Sequence, residues 1–260
     1  MKKIASFLAL LWLSAPFAFA NTYSTDLTDL WWNQNESGWG VTATHQKEVV
    51  FLTFFVYGTD NRATFYTGQA SYTGQAGSGA LIYSGPMYQT TGPWLGAGAF
   101  NPNAVSVRQV GTVTFTAFID SATLSYSVDG VIVNKSLTRQ TFRNNDVTGS
   151  YAGVIRQTSA GCTSSANAGT IEKVVGVSIT TTANSLSMTT NEGGTICNYA
   201  GDYVQSGRLG SSIGTYSCPG ITGSFTMLEI DAATSGLTAR LSAPNNLCSQ
   251  VTGRLAFVMR

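Results

Sequence analysis

Apolar and polar positions alternate with a period of two along most of the chain. The clearest run is Val49 to Tyr57. Val50, Leu52, Phe54 and Val56 fall on one side and Val49, Phe51, Thr53, Phe55 and Tyr57 on the other. A period of two is the mark of a β-strand. Because the second side is also largely apolar, this strand is expected to pack on both faces or to sit at an oligomer interface. Further on, Val113, Phe115, Ala117 and Ile119 alternate with threonines, and Leu124, Tyr126 and Val128 alternate with Thr123, Ser125 and Ser127 before the hairpin signal Asp129-Gly130. The pattern predicts strands over 38–45, 49–57, 64–69, 80–84, 87–91, 112–119, 123–128 and 131–142. Ahead of them, Asp26 to Trp32 reads as a short helix capped by Asp26 or Thr25. The second half predicts eight more strands, over 149–157, 171–181, 185–190, 195–204, 208–217, 224–231, 236–242 and 250–259, with Gly193-Gly194 as a hairpin turn.

Strands of this length joined by short turns imply an all-β chain of two tandem antiparallel meander barrels, each of about eight strands, since closing the sheet removes its edges. The residue types divide the same way. Trp31, Trp32, Trp39 and Trp94 lie in the first half, and Cys162, Cys197, Cys218 and Cys248 in the second. We place the units at 21–146 and 147–260. A distant duplication is suggested by Gly38-Trp39 with Arg139 in one half and Gly149-Ser150-Tyr151 with Arg254 in the other.

Lys2 and Lys3, the apolar run Ile4 to Leu13, and Ala18-Phe19-Ala20 read as a signal peptide over 1–20. An exported chain with an even cysteine count implies two disulfides stapling the second barrel. Three pairings are open, of which the local Cys162–Cys197 and Cys218–Cys248 is favoured. Without Lys2 and Lys3 the charge goes from 14 − 13 = +1 to 12 − 13 = −1, and no basic run remains. That excludes an electrostatic footprint for nucleic acid and argues against a membrane surface. No second apolar run approaches the ~20 residues of a membrane helix, and no lipoprotein cysteine follows the cleavage site. No metal or cofactor is implied.

His45 is the sole histidine, which excludes a multi-histidine zinc site, and no Gly-x-Ser-x-Gly elbow accompanies it. Glu229 and Asp231 are two apart, after Phe225 and Met227. On an unbroken strand all four share a face, so the two acids would point toward a barrel mouth, as carboxylate-based hydrolysis requires. Arg208, Arg240 and Arg254 are the alternative partners of these acids. A sharper candidate is aromatic. Trp31, Trp32, Asn33, Glu36, Trp39, Tyr57, Tyr66 and Trp94 combine ring surface with directed hydrogen-bonding groups. They plug one end of the barrel, line a binding surface, or form a domain or subunit interface. Glu36, if buried, needs Ser37, backbone N–H groups or Arg139 as a partner.

The first half resembles a family of exported bacterial domains with the signature Trp-Trp-Asn-x-x-Glu-Ser-Gly-Trp-Gly. Here that is Trp31 to Gly40, followed by Phe55-Val56-Tyr57, Thr91-Gly92-Pro93-Trp94 and Phe100-Asn101-Pro102. The resemblance covers roughly residues 28 to 143 and implies export, but no activity. At the level of fold both halves are similar to calycin barrels of the lipocalin or avidin kind, which implies a ligand cup. Ser84-Gly85-Pro86-Met87-Tyr88 also resembles the Ser-Gly-x-x-Tyr loop of small β-barrel lysozyme inhibitors.

Together these features predict a non-catalytic binding protein of the bacterial periplasm or medium. Its expected ligand is a saccharide, a small apolar molecule or another exported protein. The alternatives are an inhibitor of a secreted hydrolase, a structural or adhesive surface protein that self-associates through the outer face of Val49 to Tyr57, and a hydrolase using Glu229 and Asp231.

Overall fold

The computed structural model describes residues 25–96 and 98–260. The predicted signal peptide lies outside them. The chain forms two closed eight-stranded antiparallel barrels, each a simple meander whose first strand pairs with its last. The first barrel comprises β1 (Asp29–Trp32), β2 (Gly40–Gln46), β3 (Val49–Tyr57), β4 (Ala63–Gln75), β5 (Leu81–Thr91), β6 (Ser106–Ala117), β7 (Ser121–Val128) and β8 (Val131–Arg139). The second comprises β9 (Gly149–Cys162), β10 (Gly169–Thr181), β11 (Ser185–Glu192), β12 (Thr195–Ser206), β13 (Leu209–Cys218), β14 (Ile221–Ala233), β15 (Gly236–Ser242) and β16 (Cys248–Met259). Each barrel has its own core of alternating inward side chains. The first is filled by Trp31, Phe54, Tyr83, Phe115 and several leucines, all fully buried.

Three expectations change. Asp26 to Trp32 is not a helix. Asp26 Oδ1 accepts from Thr28 N, as a cap does, but the chain then enters β1. The four-residue spacing of Leu27 and Trp31 imitates a helical repeat because the indole Nε1 reaches back to donate to Leu27 O at 3.0 Å. Strands predicted at 80–84 and 87–91 are one strand, β5, running through Gly85-Pro86. Ser84 to Tyr88 therefore lies within a strand, and the inhibitor-like loop is absent. Gly85 is needed there, because a Cβ would fall 1.9 Å from Gln69 O of β4.

The disulfides are the third change. They join Cys162 to Cys248 and Cys197 to Cys218, not the sequence-local pairs. Barrel closure sets β16 beside β9 with Cys248 directly opposite Cys162, while Cys197 and Cys218 end the paired strands β12 and β13. Two such bonds indicate an oxidising, extracytoplasmic environment. No helix among the described residues is long and apolar enough to cross a membrane.

The barrels meet at their closed ends. The β12–β13 turn inserts under the first barrel, where Gly207 N donates to Thr141 Oγ1 and Arg208 N to Asp29 Oδ2. Arg208 also pairs with Asp26 and Asp231. Burial disfavours its charge, but these carboxylates outweigh that and raise its pKa. Gly207 has φ +60, and a Cβ there would lie 2.1 Å from Asp29 Oδ2, so only glycine fits.

Candidate functional site

The predicted aromatic set does not form one site. Trp31 belongs to the closed end. It is fully buried, edge-on to Phe115, with the Arg139 guanidinium 4.6 Å from its ring centre. Arg139 donates to Ile119 O, Asp26 O and Thr28 O and pairs with Asp29 at 3.2 Å. Trp31 is thus the plug. Its neighbours in the sequence lie elsewhere, because β1 ends at Trp32 and the loop from Asn33 to Trp39 turns at the open end. Trp32 is half-buried. Asn33 shapes that loop, its side chain accepting from Asn35 N and its carbonyl from Glu36 N.

Glu36 sits at the open end, so Arg139 is out of reach. Its partners are Lys135 Nζ at 2.6 Å and Trp39 Nε1 at 3.2 Å. Lys135 shares the inward face of β8 with Leu137 and lies 5.5 Å from the Trp39 ring centre. The hydrogen bond from Lys135 holds the Glu36 carboxyl below its usual range. Tyr66 is half-buried at the same end beside Tyr126, whose hydroxyl is pushed up by burial and by Tyr66. Tyr57 closes β3 at the rim, close under Gly38.

Trp94 is the most exposed aromatic ring of the set, at 79 % against 60 % for Tyr57, with Leu95 next to it at 76 %. Its indole is laid over Gly96, where a Cβ would come within 2.5 Å of the ring. Asn101 then ties down the end of the loop by accepting from Asn103 N. On the same rim stand exposed Val107 on β6, and Val131 and Ile132 after the β7–β8 turn. The sequence pattern missed these aliphatic residues, since an outward valine on a strand looks the same whether or not a loop tip gathers others beside it.

Glu229 and Asp231 are not a catalytic pair in a barrel mouth. A bulge between Leu228 and Asp231, with Glu229 at φ +53, breaks the alternation, so Ile230 takes the inward place after Phe225 and Met227. The acids sit toward the inter-barrel end, where Arg240 Nη2 is 2.8 Å from Glu229 and Arg208 pairs with Asp231. Each acid is thus paired with an arginine at that end and not aimed into the barrel. His45 is structural too. Its Nδ1 accepts from Leu27 N at 3.2 Å, and its Nε2 lies 2.7 Å from Lys47 O, which ties the N-terminal segment to β2. Arg254 lies opposite Arg156 and Arg240 on the outside of the second barrel. Among the described residues there is no cluster of metal-ligating side chains.

Two clefts mark the second barrel. One, of about 540 Å³, lies beside the linker and includes Asp146, Thr181 and Gln205. These residues are engaged in holding the linker: Asp146 accepts from Thr148 N and Thr181 Oγ1, and Gln205 binds Asn145 N and Arg143 O. The other, of about 80 Å³, is the mouth of the barrel itself, inside the disulfide-bearing rim. In comparisons with protein-family models, curated proteins and solved structures, none matched the chain.

Proposed function

We propose that the chain is an exported, non-catalytic binding protein of the bacterial periplasm or medium, and that the first barrel presents its open rim to an apolar surface of another exported protein. The observation that carries this is Trp94, 79 % exposed and laid over Gly96 next to an exposed Leu95. A large side chain held out in a shaped loop is what a docking anchor requires. Val107, Val131 and Ile132 are further exposed apolar residues at this end of the barrel. Aliphatic neighbours favour a protein over a saccharide, whose recognition sets aromatic faces among directed hydrogen bonds. A barrel filled by Trp31, Phe54, Tyr83 and Phe115 argues against a small apolar ligand swallowed whole. The resemblance to exported Trp-Trp-Asn domains agrees with the compartment.

Trp94→Ala tests this. Stability is expected to change by no more than about 0.5 kcal/mol, as for a surface site, while a partner retained by the wild-type chain in periplasmic extract or medium is lost. A stability loss of several kcal/mol would make Trp94 a packing residue and end the proposal. Binding of oligosaccharides abolished by the same change would replace the protein partner by a sugar.

A second reading, self-association, rests on Phe51, Phe55 and Phe65. They are exposed on the adjacent strands β3 and β4, with Phe55 directly opposite Phe65. Sedimentation of the wild type as a dimer that Phe55→Ser converts to monomer would support it; a wild-type monomer would not.

A further inference from the structure

We propose that the mouth of the second barrel binds a small zwitterion the size of a free amino acid. The site is distinct from the first barrel's rim and lies at the other end of the molecule. Its cavity is about 80 Å³. A water claims roughly 10–15 Å³ of such a space, so the cleft takes a ligand of roughly five to eight heavy atoms. Glycine, alanine and serine fall in that range, and sugars do not.

The polar groups are arranged for two opposite charges. Thr190 and Tyr199 line the cleft and are only 4 % and 7 % exposed, yet neither side-chain oxygen hydrogen-bonds within the protein. These two oxygens are not sealed off, as the unpartnered hydroxyls of Tyr203 and Ser212 are; they open into the cleft, where a ligand oxygen can take the place of water. Burial, with Tyr216 beside it, pushes the Tyr199 hydroxyl up to about 12, so at neutral pH it remains a donor. Its ring is fixed by stacking on Tyr216 at 5.1 Å and by the edge of Phe225. At the rim, Lys173 and Glu192 face each other at 3.0 Å. Both are partly open to water, so their mutual attraction is small and a ligand can part them. Lys173 with the Thr190 and Tyr199 hydroxyls then serves a carboxylate, and Glu192 takes an ammonium. The Cys197–Cys218 disulfide lines the same cleft and joins two of its strands, which limits the ordering needed on binding.

The test uses the full mature chain with glycine, L-alanine and L-serine as probes, followed by heteronuclear NMR and calorimetry. Methylamine and acetate, each with one of the two charges, and uncharged glycerol are the comparators. Saturable shifts confined to the cleft are expected for at least one amino acid, with every comparator at least about tenfold weaker. Thr190→Val and Tyr199→Phe each remove one hydroxyl, and each is expected to weaken binding about tenfold. Glu192→Gln is expected to weaken it by more, because a charge is lost. Failure of all three amino acids to bind overturns the proposal, as does glycerol binding equally well. Affinity unmoved in Thr190→Val and Glu192→Gln overturns it even if Tyr199→Phe misfolds. None of these outcomes bears on Trp94 and the first barrel.

Discussion

In the first barrel the closed end is held by Trp31 and Arg139, which sit opposite each other on β1 and β8. The equivalent cross-strand pair in the second barrel is Tyr151 and Met259, each 120 positions later in the chain. The frame around them repeats with the same offset. Asp26-Leu27-Thr28 returns as Asp146-Val147-Thr148. Each aspartate accepts from the N–H two residues on. Trp31 donates to Leu27 O and Tyr151 to Val147 O. Gln140 N reaches Leu30 O, and Arg260 N reaches Ser150 O. The motif expected to mark the repeat, Gly38-Trp39 with Gly149-Ser150-Tyr151 and Arg139 with Arg254, was out of register. Trp31 is the true counterpart of Tyr151, and the arginine has none in the second barrel. One unit closes its base with a buried cation over an indole. The other does without the cation and carries two covalent ties at its opposite end, with Cys197 and Cys218 lining the cleft. A frame of strands, caps and one reaching side chain is common to both; how the ends are secured is where they differ, and an end can be specialised only where it is not needed to hold the barrel shut.

The largest expected effect comes from giving the first barrel the second's solution. Arg139→Met takes the ion-pair partner from Asp29, which is nearly buried and keeps only backbone donors, the N–H groups of Leu30 and Arg208, and removes donors from three carbonyls. Breaking a buried ion pair on one side costs about 3–5 kcal/mol, and the orphaned carbonyls put this change near the top of that range. Chemical denaturation followed by Trp fluorescence reads the first barrel alone, because the described tryptophans all lie there. Asp29→Asn in the same chain should recover part of the loss. If Arg139→Met costs under about 1 kcal/mol, the two bases are equivalent and the comparison fails.

Next come the disulfides. Replacing Cys162 and Cys248 by serine frees a loop of 86 residues, worth about 4–5 kcal/mol by chain entropy. Replacing Cys197 and Cys218 frees one of 21, worth about 3. The loss is expected in the second barrel's transition only. It would break the comparison if the first barrel melted along with it.

What the sequence disclosed and what it hid follow from the range of the interactions. Val49 to Tyr57 reads as a strand because alternation is a local property, and its limits are those observed. Two barrels of eight strands follow from counting such runs. The disulfide pairing is set by β16 closing on β9, a contact 86 residues apart in sequence that no spacing records. Glu229 and Asp231 look inward until a bulge shifts the phase by one, and a strand pattern carries no mark of a bulge without glycine. Gly85-Pro86 looks like a break, yet β5 runs through it because Gly85 lets β4 approach. Trp94 was visible as a loop tryptophan. Thr190 and Tyr199 were not, since a hydroxyl that opens into a cleft without a protein partner is known only once its surroundings are.

Alkaline pH sharpens the contrast. Burial raises the tyrosine hydroxyls of Tyr151, Tyr199, Tyr203 and Tyr216 in the second barrel, Tyr199 to about 12. In the first, Tyr126 is raised. A hydroxyl whose folded pKa exceeds the unfolded value of about 10 contributes in full below pH 10. As pH climbs, the unfolded chain ionises first, and the contribution disappears by pH 12. For Tyr199 alone that is about 2–3 kcal/mol. The second barrel should therefore unfold first between pH 10 and 12, seen as loss of far-UV strand signal before the Trp fluorescence of the first barrel changes. The reverse order would mean that these rings are not as shielded as their burial implies.

The smallest effect separates the reaching side chains themselves. Tyr151→Phe keeps the ring and removes the donor to Val147 O, leaving that carbonyl unpaired in a buried segment, at about 1 kcal/mol. Trp31→Phe removes the equivalent donor to Leu27 O but also shrinks the surface beneath Arg139, and a desolvated cation over an indole contributes up to about 2 kcal/mol. The first change should therefore cost less than the second, by roughly the cation–ring term plus the lost ring volume. Introducing both changes singly, each in the other's background of Arg139→Met, isolates that term. The excess cost of Trp31→Phe should shrink once Arg139 is gone, whereas the cost of Tyr151→Phe should not move. If the excess persists, it comes from packing against Phe115, and the indole in the first barrel is there for its volume and not for its charge partner.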